Sequence, residues 1–153
     1  MNYQLNQFGL TNELGAAMNV NPSTISVKIS KDFAGLAADG TAIYTGYALK
    51  FVASEASDMP VMTEAASADQ ADAVVLFNAK KAAYEANDIV EVALVGSIVT
   101  MQAGTAMNRR QLVSWNNVSH KIQATTTNYL GYTLDIASAT GDIVRVLIQP
   151  KMA

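Results

Sequence analysis

Beyond residue 22 the apolar positions of this chain mostly follow a period of two. "TISVKIS" (24–30) sets Ile25, Val27 and Ile29 against Thr24, Ser26 and Lys28, the arrangement of a strand with one buried face. "AIYTGYALKFVAS" (42–54) follows the turn signal Asp39-Gly40 and predicts one longer strand, bent or bulged at Gly46. "PVMTEA" reads as a short strand, whereas "ASADQADA" (66–73) is too short and polar for more than one helical turn. "AVVLFNAKK" predicts a strand, 82–87 a loop, and "DIVEVALVGSIVTM" a long strand that Gly96-Ser97 bends or divides. "GTAMNRR" is a loop or a single helical turn, and "QLVSW" and "HKIQATT" are short strands on either side of Asn116-Asn117. The remaining pattern is a strand over 129–137, a turn at 139–142 and a strand over 143–149, where Pro150 ends the ladder.

Two of these stretches use nearly the same phrase. Aligning Asp88 with Asp142 places Val90, Val92 and Leu94 on Val144, Val146 and Ile148, with Glu91 and Arg145 on the opposite face. In each, the aspartate is positioned to cap a turn through side-chain to backbone bonds. An internal duplication explains the match, and so does the convergence of two hairpins on one favoured turn.

Residues 1–22 follow neither period. Tyr3, Leu5, Phe8, Leu10 and Leu14 stand isolated among Asn, Gln and Gly, and the segment closes at Asn21-Pro22-Ser23. This predicts an extended arm, able to reach on the order of 70 Å from the domain that follows and ordered by a neighbour against which its apolar residues are buried. The expected organisation is therefore an arm over 1–22 and one β-rich domain over 23–153. The fold class is mainly β, a small antiparallel barrel or sandwich.

Composition narrows the function. With 153 residues the chain fits a single core. Half of it is hydrophobic but only 7% aromatic, which suits thin, closely packed strands better than a deep aromatic pocket. The net charge of −3 and the scattered basic residues, apart from the pairs Lys80-Lys81 and Arg109-Arg110, lack the basic stripe that a nucleic-acid partner requires. There is no cysteine, which removes disulfides, thiolate catalysis and zinc-finger spacing. The start reads as no secretory signal, and the apolar run around Glu91 falls short of the roughly 20 residues of a membrane-spanning helix. These features predict a soluble protein made in a cytoplasm, without a membrane partner.

Candidate chemistry is sparse. His120 lacks an obvious nucleophile elbow and reads as a surface histidine at the start of a strand. One imidazole gives no metal cluster, and no EF-hand or HExxH pattern is present. The acids lie mainly at turns, where capping is their ordinary work, so no pair is singled out for glycosidase chemistry. Trp115, Tyr44, Tyr47, Tyr129 and Tyr132 could line a carbohydrate site, but filling a small core and bracing hairpins is the better reading. The expectation is a non-enzyme with no cofactor and no metal.

The order of phrases over 71–150 adds a resemblance. "AVVLFNAKKAAYEANDIVEVALVGSIVTMQAGTAMNRRQLVSW", then "KIQATT", then "YLGYTLDIASATGDIVRVLIQP" resembles the small β-rich head-decoration, or capsid cement, proteins of tailed bacteriophages. In that family a "GDxVxV" strand, an "AGxAI"-like turn and a "GxALxxAxxDGDxVRVxL" hairpin follow one another. Ala86-Asn87-Asp88 stands here for the more usual Ala-Gly-Asp, and Asn also tolerates the left-handed conformation. The resemblance implies a protein made in the bacterial host cytoplasm that binds the major capsid protein on the outside of an expanded head. There it resists internal DNA pressure, often as a trimer at local threefold positions. Tyr3, Leu5, Phe8, Leu10 and Leu14 of the arm, with Ile25 and Val27 of the first strand, are the expected partner-binding residues. Arg109-Arg110 reads as a solvated loop in preference to a contact with an acidic coat surface. A virion-displayed receptor- or glycan-binding module is the alternative, and a small β-barrel enzyme with a carboxylate pair is a third.

Overall fold

The computed structural model describes residues 14–18 and 22–151. The described residues form twelve strands, one 3-10 turn at Ala37–Asp39 and no α-helix. In chain order the strands are β1 (Thr24–Ile29), β2 (Ile43–Tyr44), β3 (Ala48–Phe51), β4 (Val61–Glu64), β5 (Ala73–Val75), β6 (Ala83–Tyr84), β7 (Ile89–Ala93), β8 (Ile98–Gln102), β9 (Leu112–Asn116), β10 (Lys121–Ala124), β11 (Gly131–Thr133) and β12 (Ile143–Ile148). The mainly β class and the barrel are as the sequence predicts.

A first unit is a closed barrel in the order β1-β4-β3-β5-β7. Five strands around a ring cannot all be antiparallel, and the odd pair is β1 with β4, where Lys28 and Ile29 run parallel to Val61 and Met62. A second unit is the sheet β10-β9-β11-β12-β8. Its ladders are antiparallel, and the parallel bridge from Ala103 to Ile122 draws its two edges together at one end.

The two units repeat one ladder. Ile29 N–H donates to Asp88 O at 2.8 Å, and Ala103 N–H donates to Asp142 O at 2.8 Å. Asn87 N–H donates to Ile29 O, as Gly141 N–H does to Ala103 O; Ser30 to Met62 recurs as Gly104 to Ile122, and Leu76 to Glu91 as Leu134 to Arg145. Strand by strand, β1, β3, β4, β5 and β7 therefore correspond to β8, β9, β10, β11 and β12. Two hairpins converging on a favoured turn would share the turn alone. The match extends over all five strands and identifies a tandem repeat. The turns agree as well: Asp88 Oδ2 accepts from Glu85 N–H at 2.7 Å and Asp142 Oδ2 from Ala139 N–H at 3.1 Å. Asn87 and Gly141, the residues before each aspartate, both have positive φ (66° and 97°), which suits Asn and Gly.

Several predicted strands are shorter than their apolar pattern. The stretch 42–54 is two strands, because Tyr47 N–H donates back to Tyr44 O and Gly46 turns with φ of 83°. Thus β2 pairs with β6 while β3 enters the barrel. The run at 89–102 is divided at Gly96-Ser97, sending β7 to the first unit and β8 to the second. The strand predicted from "AVVLFNAKK" ends at Val75, part of the predicted 82–87 loop is β6, and only Gly131–Thr133 of 129–137 is strand. Residues 66–69 form a turn in which Ala66 N–H donates to Asp69 Oδ2.

Each unit has its own core. Val27, Ile29, Leu49, Met62, Val75, Val90 and Val92 fill the first. Val99, Met101, Val113, Trp115, Ile122, Leu130, Val146 and Ile148 lead the second, which also takes in Ala48, Ala65, Ala71, Val74 and Ala93 from the outer side of the first. That explains β5, whose three residues are all buried: one face points into the barrel and the other against its neighbour. Ala48, Ala65, Ala71 and Ala93 at this seam let the two units approach closely.

Candidate functional site

The start of the described chain is a short segment, turned at Gly15 and bridged to β8. Gly15 N–H donates to Thr100 O at 2.8 Å, Thr100 N–H to Ala16 O at 3.2 Å and Met18 N–H to Ile98 O at 2.7 Å, around an antiparallel bridge between Ala17 and Val99. From the other side Phe77 N–H donates to Gly15 O at 3.0 Å. Residues 14–18 thus join the second unit to the first and cover an edge that would otherwise be open to pairing. Only glycine fits position 15. Its φ is +76°, and a Cβ there would stand 2.2 Å from Val75 O.

The sequence-derived binding residues fall in three places. Tyr3, Leu5, Phe8 and Leu10 lie outside the described residues. Leu14 is half-buried in the arm root, beside Gly46. Ile25 is half-buried and packs on the first core, while Val27 is fully buried within it, so the Val27 side chain serves the barrel. Arg109 is exposed, with its Nε–H donating to Leu134 O. Arg110 is exposed with a φ of 62°.

Sequence reasoning missed the cluster at the seam. Glu64 at the end of β4 accepts from Trp115 Nε1–H at 3.1 Å, and the same Oε1 lies 2.9 Å from His120 Nδ1. The His120 ring stacks on Tyr47 with centroids 4.7 Å apart and planes 8° from parallel, and Tyr47 lies 5.2 Å from Trp115. Asn116 sets up this geometry: its Oδ1 accepts from Val118 N–H and its carbonyl from His120 N–H, which leaves His120 in a left-handed conformation with φ of 55°. Burial, with Glu64 and Tyr44 nearby, pushes the Tyr47 hydroxyl up to about 12. Trp115 is only 3% exposed and offers no face to a sugar. His120 is partly exposed, as a surface histidine would be, yet its ring works as one half of a clasp between units.

The ion pairs pin loops. Glu55 binds Ser30 Oγ–H, Lys31 N–H and Lys28 Nζ, holding the β3–β4 excursion on β1. Asp135 receives Arg145 through Nε, Nη2 and the backbone N–H at 2.7–2.9 Å. The Arg145 guanidinium first, and its backbone N–H next, hold the Asp135 carboxyl below the usual range despite burial. A carboxyl depressed in the folded state contributes stability above its unfolded pKa of about 3.9, and that contribution is lost as pH falls through the folded value. Asp135→Asn is therefore expected to destabilise the protein by a constant amount above about pH 5, and by a shrinking amount below about pH 4. Urea melts of both forms from neutral to acid pH check this, and an unchanged gap at the acid end contradicts it.

The geometry defines a class: a twin-unit β scaffold in which residues 14–18 cover the β8 edge. No protein-family model and no curated protein sequence matches the chain. Among solved structures it is similar to the head fiber gp8.5 N base of bacteriophage phi29, with a TM-score of 0.57 and 14% identity over 87% of this chain and 99% of that one. At that identity the likeness establishes a shared fold.

Proposed function

We propose that this chain is a structural protein of a tailed-phage virion, binding the major capsid protein on the head exterior and bracing the shell against internal DNA pressure. The observation that carries the reading is the arm root. Residues 14–18 are held on β8 by three backbone hydrogen bonds and an isolated bridge, so the segment carrying Tyr3, Leu5, Phe8 and Leu10 starts from a fixed place on the scaffold. Such a segment can add to a strand of the coat by backbone pairing and seat its apolar side chains in alternate pockets. Two further lines support the reading. The shared fold is that of a phage head fiber base, and the phrase order over 71–150 resembles the head-decoration family. Trimers at local threefold positions would turn weak contacts into a firm clamp, since each later contact forms at high effective concentration.

Deleting residues 1–13 tests the role of the arm while leaving its root in place. The truncated protein is expected to fold with unchanged melting temperature but to bind expanded, undecorated heads about tenfold or more weakly. Co-sedimentation with heads measures this, and equal binding by the truncated and full chains would contradict it.

A further inference from the structure

Within the chain the two units pack head to tail. The first presents a row of cross-strand neighbours on its outer side, Ala48 beside Val74 and Val74 beside Ala93. All three are fully buried against the second core. From the second unit Trp115 reaches over the seam to Tyr47 and Glu64.

The ladder correspondence carries both surfaces to a second location. Ala48, Val74 and Ala93 correspond to Leu112, Tyr132 and Leu147 on the outer side of the second sheet, and the same row continues to Ile98. Tyr132 is opposite Leu112 on one side and Leu147 on the other, and Leu147 is opposite Ile98. These four residues form an unbroken apolar row across β9, β11, β12 and β8, all partly buried. Trp115, opposite Ile122, corresponds to Phe51, opposite Met62. Phe51 is 45% exposed at the end of the first barrel. The molecule therefore carries, at opposite ends of its repeat, a face and a knob whose counterparts are joined inside it.

We propose that the Leu112–Tyr132–Leu147–Ile98 face is the docking surface for a second copy of this chain, which approaches with the Phe51 end of its first unit. The contact between copies then uses the strands equivalent to those of the seam, with the larger Leu112, Tyr132 and Leu147 standing where the seam has Ala48, Val74 and Ala93. Because face and knob are different surfaces, the interface is heterologous, and such an interface closes into a ring or runs on as a file. A ring of three meets the threefold arrangement proposed above. The inference deepens that arrangement and does not depend on shell binding, so the free protein tests it apart from any head.

The test is sedimentation velocity from about 10 µM to about 1 mM, the range that reaches the weakest specific contacts, on the wild type, Phe51→Glu and Leu147→Glu. Tyr132→Lys replaces Leu147→Glu should the latter fail to fold. Wild type is expected to associate, and each folded variant to associate at least about tenfold more weakly. An equimolar mixture of a knob variant and a face variant is expected to form a heterodimer and nothing larger, since one intact face and one intact knob remain. A wild type that stays monomeric throughout, variants that associate like wild type, or a mixture that gives no heterodimer would each overturn the proposal, whatever the protein does on heads.

Discussion

Trp115→Ala is expected to lower stability by about 3–5 kcal/mol, the usual cost of emptying a large aromatic site. Trp115 is 3% exposed, packs in the second core and faces Tyr47 of the first unit. Its indole N–H also donates to Glu64 Oε1, so the substitution removes volume and a hydrogen bond to a carboxylate together. In a chain of this length the melting temperature should fall by roughly 10 °C. Trp115→Phe is an intermediate case, because it keeps a ring in the site while losing the N–H donor and part of the indole volume. Denaturant melts of the three forms should rank wild type, then Phe, then Ala. An alanine variant within about 1 kcal/mol of wild type would show that the seam is not a core.

Gly15→Ala is the second large effect and acts on the arm. The added Cβ would stand 2.2 Å from Val75 O in a backbone with φ of +76°, so residues 14–18 cannot keep both their pairing with β8 and their bond from Phe77. A cost of roughly 1–3 kcal/mol is expected, in line with other left-handed positions forced on a non-glycine residue. The clearer signature is local. Limited proteolysis should cut ahead of β1 at least tenfold faster, on the order expected for an opened edge segment, while both units resist. An unchanged cleavage pattern would mean that the arm root is not held as described.

How far these features could be read in the sequence varies along the chain. Strands with one wet face, such as β1 and β12, announce themselves by alternation, and the turns at 85–88 and 139–142 by their aspartates. Where the first unit is covered by the second, alternation disappears. Ala48 and Leu49 are both buried, as are Ala73, Val74 and Val75, and a run of that kind gives no sign of where one strand stops and another begins. The repeat was legible only in the stretches that begin at Asp88 and Asp142. Elsewhere its corresponding positions hold different side chains, as with Leu49 and Val113 or Phe51 and Trp115, while the backbone ladder is the same. The seam cluster was hidden for another reason: Tyr47, Glu64, Trp115 and His120 are brought together only by the packing of one unit on the other. The change of pattern before residue 22 gave no sign that residues 14–18 are bridged to β8 by backbone hydrogen bonds.

The most direct test of the structural role is cryo-electron microscopy of expanded heads prepared without this protein and then saturated with it. The account predicts added density of barrel size at fixed, symmetry-related positions on the outer surface, with a thin connection from each barrel to the coat. Heads whose averaged surface is unchanged at saturating protein would contradict it.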